Sequence, residues 1–164
     1  MIGTPEKGVA VLELYSGSGA HGRLIATVLK EALVDKQGHR PHITLLRVDR
    51  VMAGVMNPEI NANIMSATPS DIRKLKWLYP NKRWVVLASP PCETYSVANT
   101  TGDTSKRALA LADEKVLQVQ SFIQNLEATL GVLENPATGR LKQRQVKYIS
   151  FVFNYNYKHV FSLT

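Results

Sequence analysis

Short apolar runs alternate along this chain with longer stretches in which apolar residues return every three or four positions. The runs at 9–14, 43–48, 60–65, 84–88, 131–134 and 159–164 predict six β-strands. Between them, helical spacing predicts a helix over about 20–36, with Leu24, Val28, Leu29, Ala32 and Leu33 on one face. A second, short helix over 71–78 follows Thr68-Pro69-Ser70-Asp71, which supplies an N-cap, a proline for the first turn and an acid three residues after the cap. The longest helix is expected over about 106–130, capped by Ser105, with Leu109, Val116, Val119, Ile123 and Leu126 as its apolar stripe. A further helix is expected over 141–155. Strands alternating with helices imply a single α/β domain over 1–164 with a doubly wound, mostly parallel sheet.

Composition narrows the class without naming a function. The chain has 164 residues, 45% of them hydrophobic and 20% charged, as in ordinary soluble domains. One cysteine rules out a disulfide framework and favours a reducing, intracellular setting. No apolar run reaches membrane-spanning length, and the first residues lack the apolar core of a signal peptide. The net charge of +7 suits an anionic partner such as nucleic acid, although it serves solubility equally well. The basic residues form no dense run in the sequence, and His39 and His42 lack the companions of a metal site.

Chemistry concentrates where strands end. The run at 84–88 stops at Ser89-Pro90-Pro91, because proline has no ladder N–H to give. Cys92 follows directly, at the carboxyl end of a strand, where open α/β sheets hold ligands. A free cysteine is most often a small buried hydrophobe, but Glu93, Thr94, Tyr95 and Ser96 make a poor core, so a nucleophile is the better reading. The first strand runs into Tyr15-Ser16-Gly17-Ser18-Gly19, with Gly22 completing a G-x-G-x-x-G spacing ahead of a helix. That turn lets backbone approach a dinucleotide or a nucleoside cofactor. Asp49 closes the second strand, where an acid can accept from ribose hydroxyls; a solvated acid beside Arg50 is the alternative. Glu134-Asn135 closes the fifth strand, with an ion pair to Arg140 as its plain explanation. The polar stretch at 97–105 is expected to be a mobile loop.

Taken together, these features resemble the cytosine-C5 DNA methyltransferase family. Tyr15-Ser16-Gly17-Ser18-Gly19 matches its cofactor turn, Pro91-Cys92 its nucleophile and Glu134-Asn135 its Glu-Asn motif, in the same order and at the same strand ends. The resemblance covers almost the whole chain. It departs from the family at Glu93, where glutamine is usual, at Pro136, where valine is usual, and at Asn63-Ile64, where Asp-Ile is common. The chain also ends where the family continues into a target-recognition region, so a partner chain or a C-terminal part is expected to complete it.

The resemblance implies S-adenosyl-L-methionine as cofactor, held by Tyr15, Ser16, Gly17, Ser18, Gly19, Gly22, Asp49, Arg50, Asn63, Ile64 and Pro90. It implies Cys92, Glu134 and Asn135 as the catalytic residues and cytosine in DNA, flipped from its stack, as substrate. Lys106, Arg107, Arg140, Lys142 and Arg144 are the candidates for phosphate contacts. Three other readings compete, of which a pure nucleic-acid-binding module ranks last, because the basic residues form no dense patch and the aromatics no evident stacking array. One is a catalytically inactive cofactor- or DNA-binding remnant or subunit. Another is an NAD-dependent oxidoreductase, which would leave Pro91-Cys92 and Glu134-Asn135 unexplained.

Overall fold

Every residue of the first strand, β1 (Gly8–Leu14), is buried, and the sheet is built outward from it. The computed structural model describes residues 8–34, 38–49, 60–61, 63–91, 94 and 105–134. β1 lies between β2 (Ile43–Asp49) and β4 (Lys82–Ala88), with β3 (Ile60–Asn61) and β5 (Leu130–Leu133) outside them. The strand order is β3-β2-β1-β4-β5, and all four pairings are parallel. A central parallel strand is covered on both faces, which is why β1 and β4 read as apolar runs rather than as alternation.

Side chains separate cleanly between the two faces. Val9, Val11, Val85 and Leu87 pack with Ile43 and Leu45 beneath Ile25, Leu29 and Leu33 of helix α1 (Ala20–Ala32) and its C-cap. On the other face Ala10, Leu12, Leu14, Leu46, Val48, Trp84 and Val86 meet Ile72 of α2 (Pro69–Leu78) and Val119, Phe122 and Ile123 of α3 (Lys106–Asn125). The sheet is therefore doubly wound, as the alternation of elements predicts.

The apolar face expected for α1 is corrected. Leu29 and Leu33 pack on the sheet as expected, but Leu24, Val28 and Ala32 are exposed, and Gly22 and Ile25 complete the inward face. The close approach at Gly22 sets this rotation, because no side chain there holds the first turn away from β1. The helix also ends at Ala32, short of residue 36.

Two further boundaries move for identifiable reasons. The third strand stops at Asn61, and Ile64–Ser66 forms a single 3-10 turn capped by Asn63, whose Oδ1 accepts from the Met65 N–H at 3.1 Å. α3 stops at Asn125 rather than near 130. Glu127 adopts a left-handed φ of 51°, its N–H donates to the Gln124 carbonyl, and the Ala128 N–H donates to the Ile123 carbonyl. That is a Schellman stop without the glycine or asparagine that would have announced it. The expected caps do form: Thr68 and Asp71 make a reciprocal capping box, and Ser105 Oγ accepts from the Ala108 N–H at 3.2 Å. α2 accordingly begins at Pro69 rather than Asp71. The helix expected over 141–155 and the strand over 159–164 lie outside the described residues. Among the described residues no helix is long and apolar enough to cross a membrane.

Candidate functional site

Parallel strands deliver their carboxyl ends to one edge, and the glycine turn is built there from β1. Tyr15 leaves the strand with a φ of 56°, an uncommon conformation for a residue with a side chain. Gly17 and Gly19 follow at 48° and 70°, and the Gly19 N–H donates to the Ser16 carbonyl at 2.6 Å, closing the turn. Gly19 is then the N-cap of α1. A Cβ on Gly17 would meet nothing within 4 Å among the described residues.

Asp49, at the end of β2, fixes the turn. Its Oδ2 accepts from the Gly17 N–H at 2.8 Å, and the Ser16 N–H donates to the Val48 carbonyl at 3.4 Å. The acid is thus aimed at the glycine turn and helps to shape it. Tyr15 is half-buried and donates its hydroxyl to the Met65 sulfur at 3.5 Å, which ties the 3-10 turn to the same edge. Burial, reinforced by the negative charge of Asp49, pushes the Tyr15 phenol up to about 12.

The three glycines do different work. Gly22 is spent on packing: its N–H donates to Glu13 Oε1 at 2.9 Å, and a Cβ there would overlap Glu13 Oε2 and the Leu45 side chain. Gly19 lies under two cations, since its Cβ would sit 2.7 Å from Arg47 Nη1 and 3.1 Å from Arg23 Nη1. Glu13 and Arg47 are register partners on adjacent strands, so they project from the same face of the sheet.

Sequence reasoning missed Glu13, Arg47, Arg23 and Met65. A signal for the first two was present, because each is a lone charge inside an otherwise apolar strand. Glu13 is only 4% exposed and Ser16 only 8%. Glu13 Oε2 and Ser16 Oγ are buried and make no hydrogen bond among the described residues. Two unsatisfied oxygens under one turn are unusual in a native interior, and they make this turn receptive to a ligand that brings donors.

The remaining predicted residues distribute as follows. Ser18 is exposed on the turn. Asn63 is exposed with its Oδ1 engaged as the cap, whereas Ile64 is buried in the core. Pro90 is buried and Pro91 exposed, beside the end of β1, where the Ser89 N–H donates to the Leu14 carbonyl at 3.4 Å. Glu134 is exposed, and its N–H donates to the Ala88 carbonyl at 2.8 Å. The chain that leads to Cys92 is thereby tied to β1 through Ser89 and to Glu134 through Ala88. Cys92, Arg50, Asn135, Arg140, Lys142 and Arg144 lie outside the described residues. Lys106 and Arg107 open α3 and are exposed. Among the described residues no group of three or more His, Cys, Asp or Glu could hold a metal ion.

No model of a known protein family matches this chain, and no curated protein matches it in sequence.

Proposed function

We propose that this chain transfers a methyl group from S-adenosyl-L-methionine to carbon 5 of cytosine in DNA, through a covalent adduct on Cys92. The observation that carries the reading is the 2.8 Å bond from the Glu134 N–H to the Ala88 carbonyl. It sets a carboxylate beside the strand end that leads through Pro90-Pro91 to the chain's one cysteine. The glycine turn stands on the same edge, one strand away.

The described part of the cofactor site fits the proposed cofactor. Among the described residues the turn is open beside Gly17, Asp49 offers a carboxylate near a sulfonium or a ribose, and Ser16 Oγ is a buried hydroxyl seeking a partner. Tyr15 would form an apolar wall from the β1 side. When bound, S-adenosylmethionine supplies an electrophilic methyl group on a positively charged sulfur.

The protein's own residues would act on the base. Carbon 5 of cytosine is a weak nucleophile until carbon 6 is attacked. The Cys92 thiolate forms the bond to carbon 6, and the Glu134 carboxylic acid gives its proton to the ring nitrogen while its other oxygen accepts from the amino group, which neutralises the charge that the attack creates. Electron density then reaches carbon 5, which would take the methyl group as the methyl–sulfur bond breaks and S-adenosylhomocysteine leaves. Loss of the carbon 5 proton to a base restores the double bond and expels the thiolate. Lys106 and Arg107, exposed at the start of α3, suit phosphate contacts.

The test is transfer of labelled methyl from S-adenosylmethionine to DNA of mixed sequence. Label in 5-methylcytosine supports the proposal. Binding of S-adenosylhomocysteine without transfer would favour a partner-dependent or inactive core. Binding of NAD in its place would sink the reading.

A further inference from the structure

At the opposite pole of the sheet, helices end and parallel strands begin. β1 starts at Gly8, β2 at Ile43 and β4 at Lys82, while α1 and α2 finish at Ala32 and Leu78. Seven residues of strand separate this pole from the glycine turn, a distance of about 20 Å.

The most exposed large apolar side chain among the described residues lies here. Trp77, in the last turn of α2, is 80% exposed, and Leu78 beside it is also exposed. The other apolar residues of α2 are committed elsewhere: Ile72 is in the core, and Leu75 packs against it. Trp77 is nevertheless held on a firm base. α2 is capped at its start, and two residues after Trp77 the Tyr79 ring meets Trp84 edge-on, with centroids 6.2 Å apart.

Cations are frequent at this pole. Arg73 and Lys74 precede it by one helical turn, and Lys76 adjoins it in sequence. Lys82 and Arg83 follow the tight turn at Asn81, and Lys82 Nζ lies 3.1 Å from Nδ1 of His42, in the segment that also carries Arg40. Asp71 and Glu127 face the α2 cations, bonded to Lys74 and Lys76, while Arg73 donates to the Asn125 side chain. Basic residues scattered in sequence are thus brought by topology to the pole that carries one bare aromatic ring.

We propose that this pole binds single-stranded nucleic acid, with Trp77 as a stacking platform for a base and Arg73, one helical turn before it, and Lys82 as phosphate contacts. The partner must be a polyanion, because cations outnumber acids here. It must also offer a flat apolar face, because a lone exposed indole on a rigid stub fills no groove. Unpaired bases satisfy both requirements, whereas bases in a duplex are already stacked on each other. A membrane surface fits less well: two exposed apolar residues fall short of the continuous apolar face of an interfacial helix. This binding surface is separate from the methyl-transfer edge and does not depend on that reading.

The test is titration of the whole chain with a thymidine homo-oligonucleotide, which carries no cytosine for the proposed reaction, read by tryptophan emission. Trp84 is buried, so quenching on binding reports Trp77. Trp77→Ala should weaken binding about tenfold or more while leaving the unfolding midpoint unchanged. Arg73→Ala should lower the slope of log affinity against log salt by about 0.7. Asp49→Ala should leave oligonucleotide affinity as it is, even if it abolishes cofactor binding. Equal affinity of Trp77→Ala and the parent, or affinity indifferent to salt, would overturn the proposal. So would Trp77-dependent binding to phosphatidylserine vesicles without binding to the oligonucleotide.

Discussion

Glu13 and Gly22 are locked together: one carboxylate oxygen accepts from the Gly22 N–H at 2.9 Å, and the other occupies the place a Cβ would need. The pair joins the middle of the sheet to the first turn of α1. Gly22→Ala should therefore destabilise the fold by about 1–3 kcal/mol, through overpacking against Glu13 and Leu45. Urea unfolding measures this. The double variant with Glu13→Ala should recover part of the loss, and strictly additive losses would show that the two residues do not interact.

Asp49 should matter to ligand affinity more than to stability. It holds the Gly17 N–H on the surface side of the sheet edge, so removing it loosens the glycine turn and deletes a carboxylate from the proposed pocket. Asp49→Ala is expected to weaken S-adenosylhomocysteine by more than about tenfold, or roughly 1.4 kcal/mol. Asn at this position keeps an acceptor and should restore part of the affinity. Calorimetry on the three proteins decides, and unchanged affinity in the alanine variant would remove Asp49 from the site.

Tyr15 gives the fold an alkaline weakness. Its phenol titrates at about 12 in the folded chain against 10.0 for the free side chain, so folding favours the neutral form. The corresponding stability is fully present below pH 10 and is lost as pH rises from 10 through about 12. Tyr15→Phe keeps the ring and removes the titration. Its unfolding midpoint should fall less steeply across that window than the parent's, and parallel curves would contradict the assignment.

Covalent catalysis predicts a trapped species. DNA carrying 5-fluorocytosine offers no proton at carbon 5 for the last step, so the adduct on Cys92 should persist through denaturing electrophoresis. Cys92→Ser should give none, and Glu134→Gln should slow its formation by about a hundredfold or more. An adduct mapped to a peptide lacking Cys92 would refute the mechanism.

The sequence made the strand ends legible because apolar runs and glycine or proline stops are local signals. Asp49, the Tyr15 turn and the Thr68 capping box needed only neighbouring residues to be recognised. What escaped depends on partners far along the chain. Leu24 and Val28 fit a helical stripe as well as Ile25 and Leu29 do, and only the contact between Gly22 and Glu13 selects the face that turns inward. Glu127 stops α3 in a conformation that its residue type does not advertise. The expected third strand gives way because Asn63 caps the next turn, with Gln118 of α3 donating to the Ile64 and Ala67 carbonyls. Nothing local marks Trp77 as exposed, because Leu75 and Leu78 flank it in an apolar helix end, and only the packing of α2 leaves it bare.

The central position of β1 also dictates when the proposed site can exist during synthesis. β2 emerges soon after β1 and can pair with it at once, as can α1 on their shared face. The other edge of β1 waits for Lys82–Ala88, its register partner from Gly8 to Leu14. Until that segment leaves the ribosome, seven residues of buried strand keep an open edge, a template for pairing with the wrong chain. The Asp49 clamp on the glycine turn can form in that interval, but the approach to Cys92 cannot. A nascent chain would thus acquire the proposed cofactor cradle before the proposed nucleophile, and a ligand held there early would guard the half-built sheet.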